Sequence, residues 1–246
     1  MGSSRGSWAG KTWMKAGRWL FPWVLGALAG ASGATAAEKK KSEASVEGTL
    51  SKRPELVNAS ELVPDLLVEL KYATPDNFMG VNVYGDLKSC YLNRDAARML
   101  ARARELLRSR AAALRLLVYD CTRPCSVQRI MWKKVEGTSR QGFVADPRTA
   151  LGSVHNYGCA VDLTLADAGG KPLPMGTPFD HFGREAQPRS ELSLLEAGKL
   201  THEQVGNRLL LRQVMIAAGF YPLPHEWWHF DCVLSAEVRR RYRQVE

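Results

Sequence analysis

The chain is poor in the residues from which most metal sites are built. It has five histidines and five cysteines in 246 residues. No two cysteines form a C-x-x-C pair, which argues against a zinc–thiolate site. No internal repeat is visible, so a repeat array is excluded. Acidic residues are missing from the first 37 positions, where Arg5, Lys11, Lys15 and Arg18 are found. Subtracting those four cations from the formal net charge of +9 leaves +5. The remainder has no basic stripe interleaved with aromatics. Its charge reads as a solvated surface, and no nucleic-acid partner is expected. The longest apolar stretch, Trp19 to Ala31, is broken by Pro22 and falls short of the ~20 residues that cross a bilayer comfortably.

What is present begins with an export pattern. A basic region ends at Arg18, the apolar stretch follows, and small residues fill positions 31–37. This order reads as a signal peptide over residues 1–37, cleaved between Ala34 and Glu38, with no stable membrane insertion afterwards. An uncleaved anchor is the alternative. Residues 38–54, rich in Lys, Glu and Ser, read as a flexible linker, and residues 55–246 as one domain. In an oxidising compartment the five cysteines allow one or two disulfides. Cys159 and Cys232 read best as buried thiols.

The coarse pattern is α+β. Alternating Leu66, Val68 and Leu70 predict a strand over 62–72. Asn93 predicts the cap of a helix to about Ala113, with Ala96, Leu100, Ala103 and Leu107 on one face. Strands are expected over 114–120, 158–165 and 229–234, and helices over 126–135 and 201–218. A short basic helix capped by Ser235 follows the last strand. Residues 76–85, 137–152 and 172–188 read as loops.

Two segments carry the chemistry. One is Ser153-Val154-His155-Asn156-Tyr157-Gly158-Cys159-Ala160-Val161-Asp162; the other is Glu226-Trp227-Trp228-His229. Together they offer two imidazoles, one carboxylate and a spare carboxylate. A catalytic zinc takes three protein ligands of this kind and keeps one position open. His155, Asp162 and His229 are the expected ligands of one Zn2+ per chain. Asp162 stands on an otherwise apolar strand, where an unpaired charge is costly and a metal stabilises it. Glu226, beside residues that promise burial, is the expected general base. The Ser153 hydroxyl is expected to touch substrate or hold a metal ligand. Asp180 either pairs with a dipeptide's ammonium or caps a turn.

The order Ser-x-His-x-x-Gly-x-Ala-x-Asp, then Glu-x-Trp-His, resembles the metallopeptidases that act on D-Ala-D-Ala termini. Within that group the chain is most similar to the D-alanyl-D-alanine dipeptidases. Lys71-Tyr72-Ala73-Thr74, Tyr119-Asp120 with Arg123-Pro124, Met175-Gly176-Thr177 and Asn207-Arg208 fit in order. The resemblance implies a small, mainly antiparallel sheet holding zinc, with helices flanking it. It implies that Arg123 stabilises the oxyanion of the tetrahedral intermediate, that Glu226 shuttles the proton, and that Tyr72 shapes the pocket. It also implies D-Ala-D-Ala or related small peptides as substrate. Two alternatives stay open: a D,D-carboxypeptidase or endopeptidase on wall stem peptides, and a non-catalytic wall-peptide binder. Composition says nothing of oligomeric state.

Overall fold

The computed structural model describes residues 45–246. The expected signal peptide lies outside the described residues, as does the first part of the expected linker. The rest of that linker is ordered. Val46–Ser51 forms helix α1, capped by the Ser45 hydroxyl. Leu50 is buried, and the Glu47 carboxylate accepts from Lys88 N, Ser89 N and Tyr91 Oη. One apolar residue and one well-placed acid dock a segment whose composition reads as solvated.

Two sheets form. Strand β1 (Leu56–Asn58) pairs antiparallel with β3 (Tyr91–Asn93). The five-stranded sheet contains β2 (Leu67–Val68), β4 (Arg115–Asp120), β5 (Ala160–Ala166), β6 (Tyr221–Pro222) and β7 (His229–Asp231). Its order is β2-β4-β5-β7-β6. Only β2–β4 is parallel, so the mixed α+β class and the mainly antiparallel sheet are as expected. The strand expected over 62–72 shrinks to the two residues of β2. A turn at Pro64 shortens it at the front and a 3-10 turn, Lys71–Ala73, at the back.

Helices α2 (Arg94–Arg110) and α5 (His202–Ala218) share one core with the sheet. The four residues expected on the buried face of α2 are all fully buried. Asn93 caps α2 through Asp95 N, and a Thr201–Gln204 capping box starts α5, which Gly219 ends in the left-handed conformation. Helix α3 (Cys125–Val135) packs under a second core with Tyr72, Met79 and Tyr84. Two short helices complete the set, α4 (Glu191–Glu196) and α6 (Ser235–Arg241). Ser235 is the first residue of α6 and not its cap, because its hydroxyl points back to Asp231 Oδ2 at 3.2 Å. Among the described residues no helix is long and apolar enough to cross a membrane.

Three ties hold the segments that will matter together. A disulfide joins Cys90, before β3, to Cys121, after β4. Arg123 N donates to His155 O at 3.0 Å. Near the C-terminus, buried Val245 is inserted between two segments: its N–H donates to Asn156 O at 2.7 Å and its carbonyl accepts from Cys125 N at 2.8 Å.

Candidate active site

Register brings two of the three expected ligands together. In the β5–β7 pair Asp162 lies directly opposite His229. Side chains opposite each other on one face of an antiparallel pair are close neighbours. His155 arrives from a 3-10 turn, Val154–Tyr157, that precedes β5. Ser153 and Asn156 close that turn with a reciprocal capping box. Gly158 ends it at φ +67°, where a Cβ would sit 2.7 Å from Leu56 and 2.9 Å from Asn93 N. That position therefore accepts only glycine.

The three ligand atoms point at one centre. His155 Nε2 lies 3.2 Å from His229 Nδ1, His229 Nδ1 lies 2.9 Å from Asp162 Oδ1, and His155 Nε2 lies 3.4 Å from the same oxygen. Tetrahedral ligands bonded at about 2.0–2.1 Å stand about 3.3 Å apart, so the spacing fits zinc. The outer ring nitrogens fix the lone pairs. His155 Nδ1 is 2.6 Å from the Cys121 carbonyl, which can only accept, so that nitrogen carries the hydrogen. His229 Nε2 is 2.8 Å from Asp231 Oδ1 and carries one likewise. Both inner nitrogens are then left to face Asp162 and a cation. Burial works against charge on His229, but Asp231 and Asp162 outweigh it and hold its pKa well above the ordinary value. Burial would also raise Asp162, but His155 and His229 hold it well below the carboxylate range. A metal held here would compete with a proton for His229 Nδ1.

The remaining expected residues line one cavity of about 460 Å3 with the ligands: Glu226, Arg123, Ser153, Asp180 and Tyr72. Glu226 Oε2 stands 4.0 Å from His229 Nδ1, and its neighbours Trp227 and Trp228 are buried. Burial first, then the Asp162 charge, raises Glu226 to about 7. Arg123 is buried beside the site, with Nη2 and Nε on Asp120 Oδ2 at 2.6 and 3.1 Å and Nη1 on Gln128 at 2.9 Å. Its guanidinium lies 5.1 Å from the centre of the Tyr72 ring. The Ser153 hydroxyl accepts from His155 N at 3.3 Å, so it holds a ligand's turn while facing the cavity.

Asp180 is the one non-glycine residue among those described with a left-handed backbone, at φ +60°. Tyr72 Oη donates to its Oδ1 at 2.9 Å and Phe78 N to its Oδ2 at 3.2 Å. Burial outweighs both bonds and raises its carboxyl to about 8. The loop that bears Asp180 is tied to α5 by buried Arg208, which donates to Met175 O and Glu185 O, and by Asn207, which donates to Pro174 O.

Sequence reasoning assigned no role to Asp120 and Asp231. Both are buried acids that end strands beside site residues; Asp120 closes the apolar run Leu116–Tyr119, the kind of signal that singled out Asp162. Asn156 was missed as well; its Nδ2 donates to Arg123 O at 2.8 Å and locks the metal-ligand turn to the arginine.

The model of the D-ala-D-ala dipeptidase family of M15 peptidases matches residues 52–246. The chain is 35% identical over 187 residues to the D-alanyl-D-alanine dipeptidase of Escherichia coli K12, covering 76% of this chain and 89% of that protein. It is 30% identical to the D-alanyl-D-alanine dipeptidase of Enterococcus faecium, covering 69% of this chain and 87% of that one. The Streptomyces coelicolor enzyme of the same name is also 30% identical, with the same two shares. With three convergent side chains that could hold a metal, a spare carboxyl beside them and a family match that runs almost the length of the described residues, the chain belongs to the D-ala-D-ala dipeptidase family.

Proposed function

We propose that this chain is an exported zinc dipeptidase that hydrolyses D-Ala-D-Ala to two D-alanines. The observation that carries the reading is the convergence of His155 Nε2, His229 Nδ1 and Asp162 Oδ1 in a cavity that also holds a carboxyl raised to about 7 and a buried guanidinium. His155, Asp162 and His229 would hold the zinc, which would act as a Lewis acid and make the attacking water easier to deprotonate.

Each remaining step belongs to a residue of the chain. Glu226, poised near neutrality, takes the proton of the attacking water and returns it to the leaving amine. Arg123, held charged by Asp120, faces the oxyanion that forms. Asp180 takes the substrate's ammonium, an ion that repays the burial of its carboxylate. Ser153 and Tyr72 shape the pocket around them.

The N-terminal order of basic, apolar and small residues supports export, where wall peptides are the available substrate. Export favours cell-wall turnover and D-alanine salvage over glycopeptide resistance, which calls for removing the dipeptide inside the cell. The test is release of D-alanine from D-Ala-D-Ala by purified protein, before and after chelation and again after zinc is restored. Activity that survives complete removal of metal refutes zinc dependence. Activity on an N-acylated stem peptide, with none on the free dipeptide, replaces the reading with a D,D-carboxypeptidase. Inertness of the zinc-loaded protein on both leaves the binding module.

A further inference from the structure

Two free cysteines face each other at the end of the β5–β7 pair. That ladder sets Asp162 against His229, Val161 against Phe230 and Ala160 against Asp231. One step further Cys159 stands opposite Cys232, and Cys232 N donates to Cys159 O at 2.6 Å. Opposed residues that share a ladder hydrogen bond have Cα atoms about 5.5 Å apart, which is also a common Cα separation across a disulfide. The ladder loosens at this point, because Cys159 N turns away and donates to Val154 O at 3.4 Å. One of the two regular bonds of the pair is therefore missing, and the backbone has room to adjust.

Both side chains belong to the main core, Cys159 fully buried and Cys232 5% exposed. The two thiols are in hydrogen-bonding contact, and that contact, then burial, pushes the Cys159 thiol well up. The third free thiol, Cys125, has Glu246 and Arg129 as its neighbours. In sequence, Cys159 lies between His155 and Asp162, and Cys232 lies three residues after His229. The pair thus sits on the two segments that bring the expected ligands together.

We propose that Cys159 and Cys232 form a second disulfide, a cross-strand bond that locks the register in which Asp162 meets His229. A one-residue slip of β7 along β5 would turn His229 to the other face of the sheet. A covalent link three positions along the ladder forbids that slip. Cys90–Cys121 already fixes the carbonyl that orients His155, so the second bond extends the same support to the other two ligands. The oxidant is the disulfide of another molecule. One cysteine thiolate attacks it, releasing a thiolate and leaving a mixed disulfide, and the second cysteine displaces the remaining half. One S–S bond forms in the chain, two protein thiols lose two protons and two electrons, and one disulfide is reduced to two thiols. Burial and a scarcity of thiolate slow this exchange once the core has shut, so the bond is made as the chain folds. In the cell the oxidant comes with export, on which the proposal rests in that respect; the test supplies one directly.

The full chain is synthesised by cell-free translation with zinc, over a series of ratios of oxidised to reduced glutathione. Soluble protein is denatured, alkylated without reduction and mapped by peptide mass. The expected result at the oxidising end is a linked Cys159–Cys232 peptide pair, with label on Cys125 alone. Label on both Cys159 and Cys232 at every ratio overturns the proposal, and so does a link from either one to a different cysteine. The lock is tested by melting wild type and Cys232→Ala, each with and without reductant. Any packing defect of the variant is present in both conditions, whereas the bond is present in one. The gap between the two proteins should be about 4–16 °C wider without reductant, the stabilisation typical of a disulfide in a domain of this size. A gap of equal width in both conditions overturns the lock. Failure to release D-alanine would refute the proposed function and leave the peptide map and the melts to decide the bond.

Discussion

Replacing Arg123 by alanine should damage stability and catalysis by separate routes, and a second substitution should separate them. Asp120 is fully buried. Its Oδ1 accepts from Tyr84 Oη at 2.6 Å and Cys121 N at 2.9 Å, whereas its Oδ2 has Arg123 as its charged donor. Arg123→Ala leaves that oxygen charged and dry. Breaking a buried pair in this way costs about 3–5 kcal/mol. At about 2–4 °C per kcal/mol for a domain of this size, the melting temperature should drop by about 6–20 °C. Asp120→Asn in the same chain removes the stranded charge and should recover about half of that loss. Turnover should not follow. If Arg123 faces the oxyanion, kcat falls about 10²–10³-fold in the single variant and stays there in the double one. The assays are thermal melts by circular dichroism and steady-state D-alanine release, both at matched zinc content. A double variant no more stable than Arg123→Ala would refute the stranded-charge argument. Recovery of kcat along with stability would make Arg123 a scaffold for Asp120. A loss confined to KM would make it an anchor for the substrate carboxylate.

Glu226→Gln should keep zinc and lose at least about 10²-fold in kcat, since a positioned acid–base contributes that much; metal analysis beside steady-state kinetics checks both halves. Asp231→Ala frees the outer nitrogen of His229 and should weaken zinc binding about 10–100-fold, read by competition with a chromophoric chelator. For Asp180 the folded carboxyl titrates at about 8 and the unfolded one near its ordinary 3.8. Between those values the folded chain holds a proton that the unfolded chain has released, so this residue's contribution to stability falls as pH rises. The melting temperature of Asp180→Asn, taken relative to wild type, should therefore climb from pH 4 to about 8 and then level off. A flat difference across that range refutes the raised value.

Much of the site was legible because its spacing is a consequence of secondary structure. Asp162 and His229 needed only an antiparallel register to meet, and an isolated acid between Ala160 and Thr164, on one face of an otherwise apolar strand, marked the site. Helices α2 and α5 were legible from Asn93, Thr201 and Gly219, whose capping chemistry is local. The rest depended on partners distant in the chain. Pairing of Cys90 with Cys121 follows from β3 meeting the end of β4, which spacing does not encode. Helix α1 was read as linker because its stability comes from Glu47 reaching residues 88–91 and from one buried leucine. Asp231 escaped notice because its role requires knowing that His229 faces it with the outer nitrogen.

The insertion of Val245 has a consequence for the order in which the site is assembled. A ribosome makes the chain from its N-terminus, so the segments bearing Arg123, His155 and His229 all emerge before residue 245 does. Until that residue arrives, Asn156 O and Cys125 N lack the backbone hydrogen bonds that join the turn bearing His155 to the segment after Arg123. A nascent chain therefore carries every residue expected at the site before this additional tie between their segments is in place. Loss of Val245 should therefore loosen the turn that bears His155 from the segment that follows Arg123.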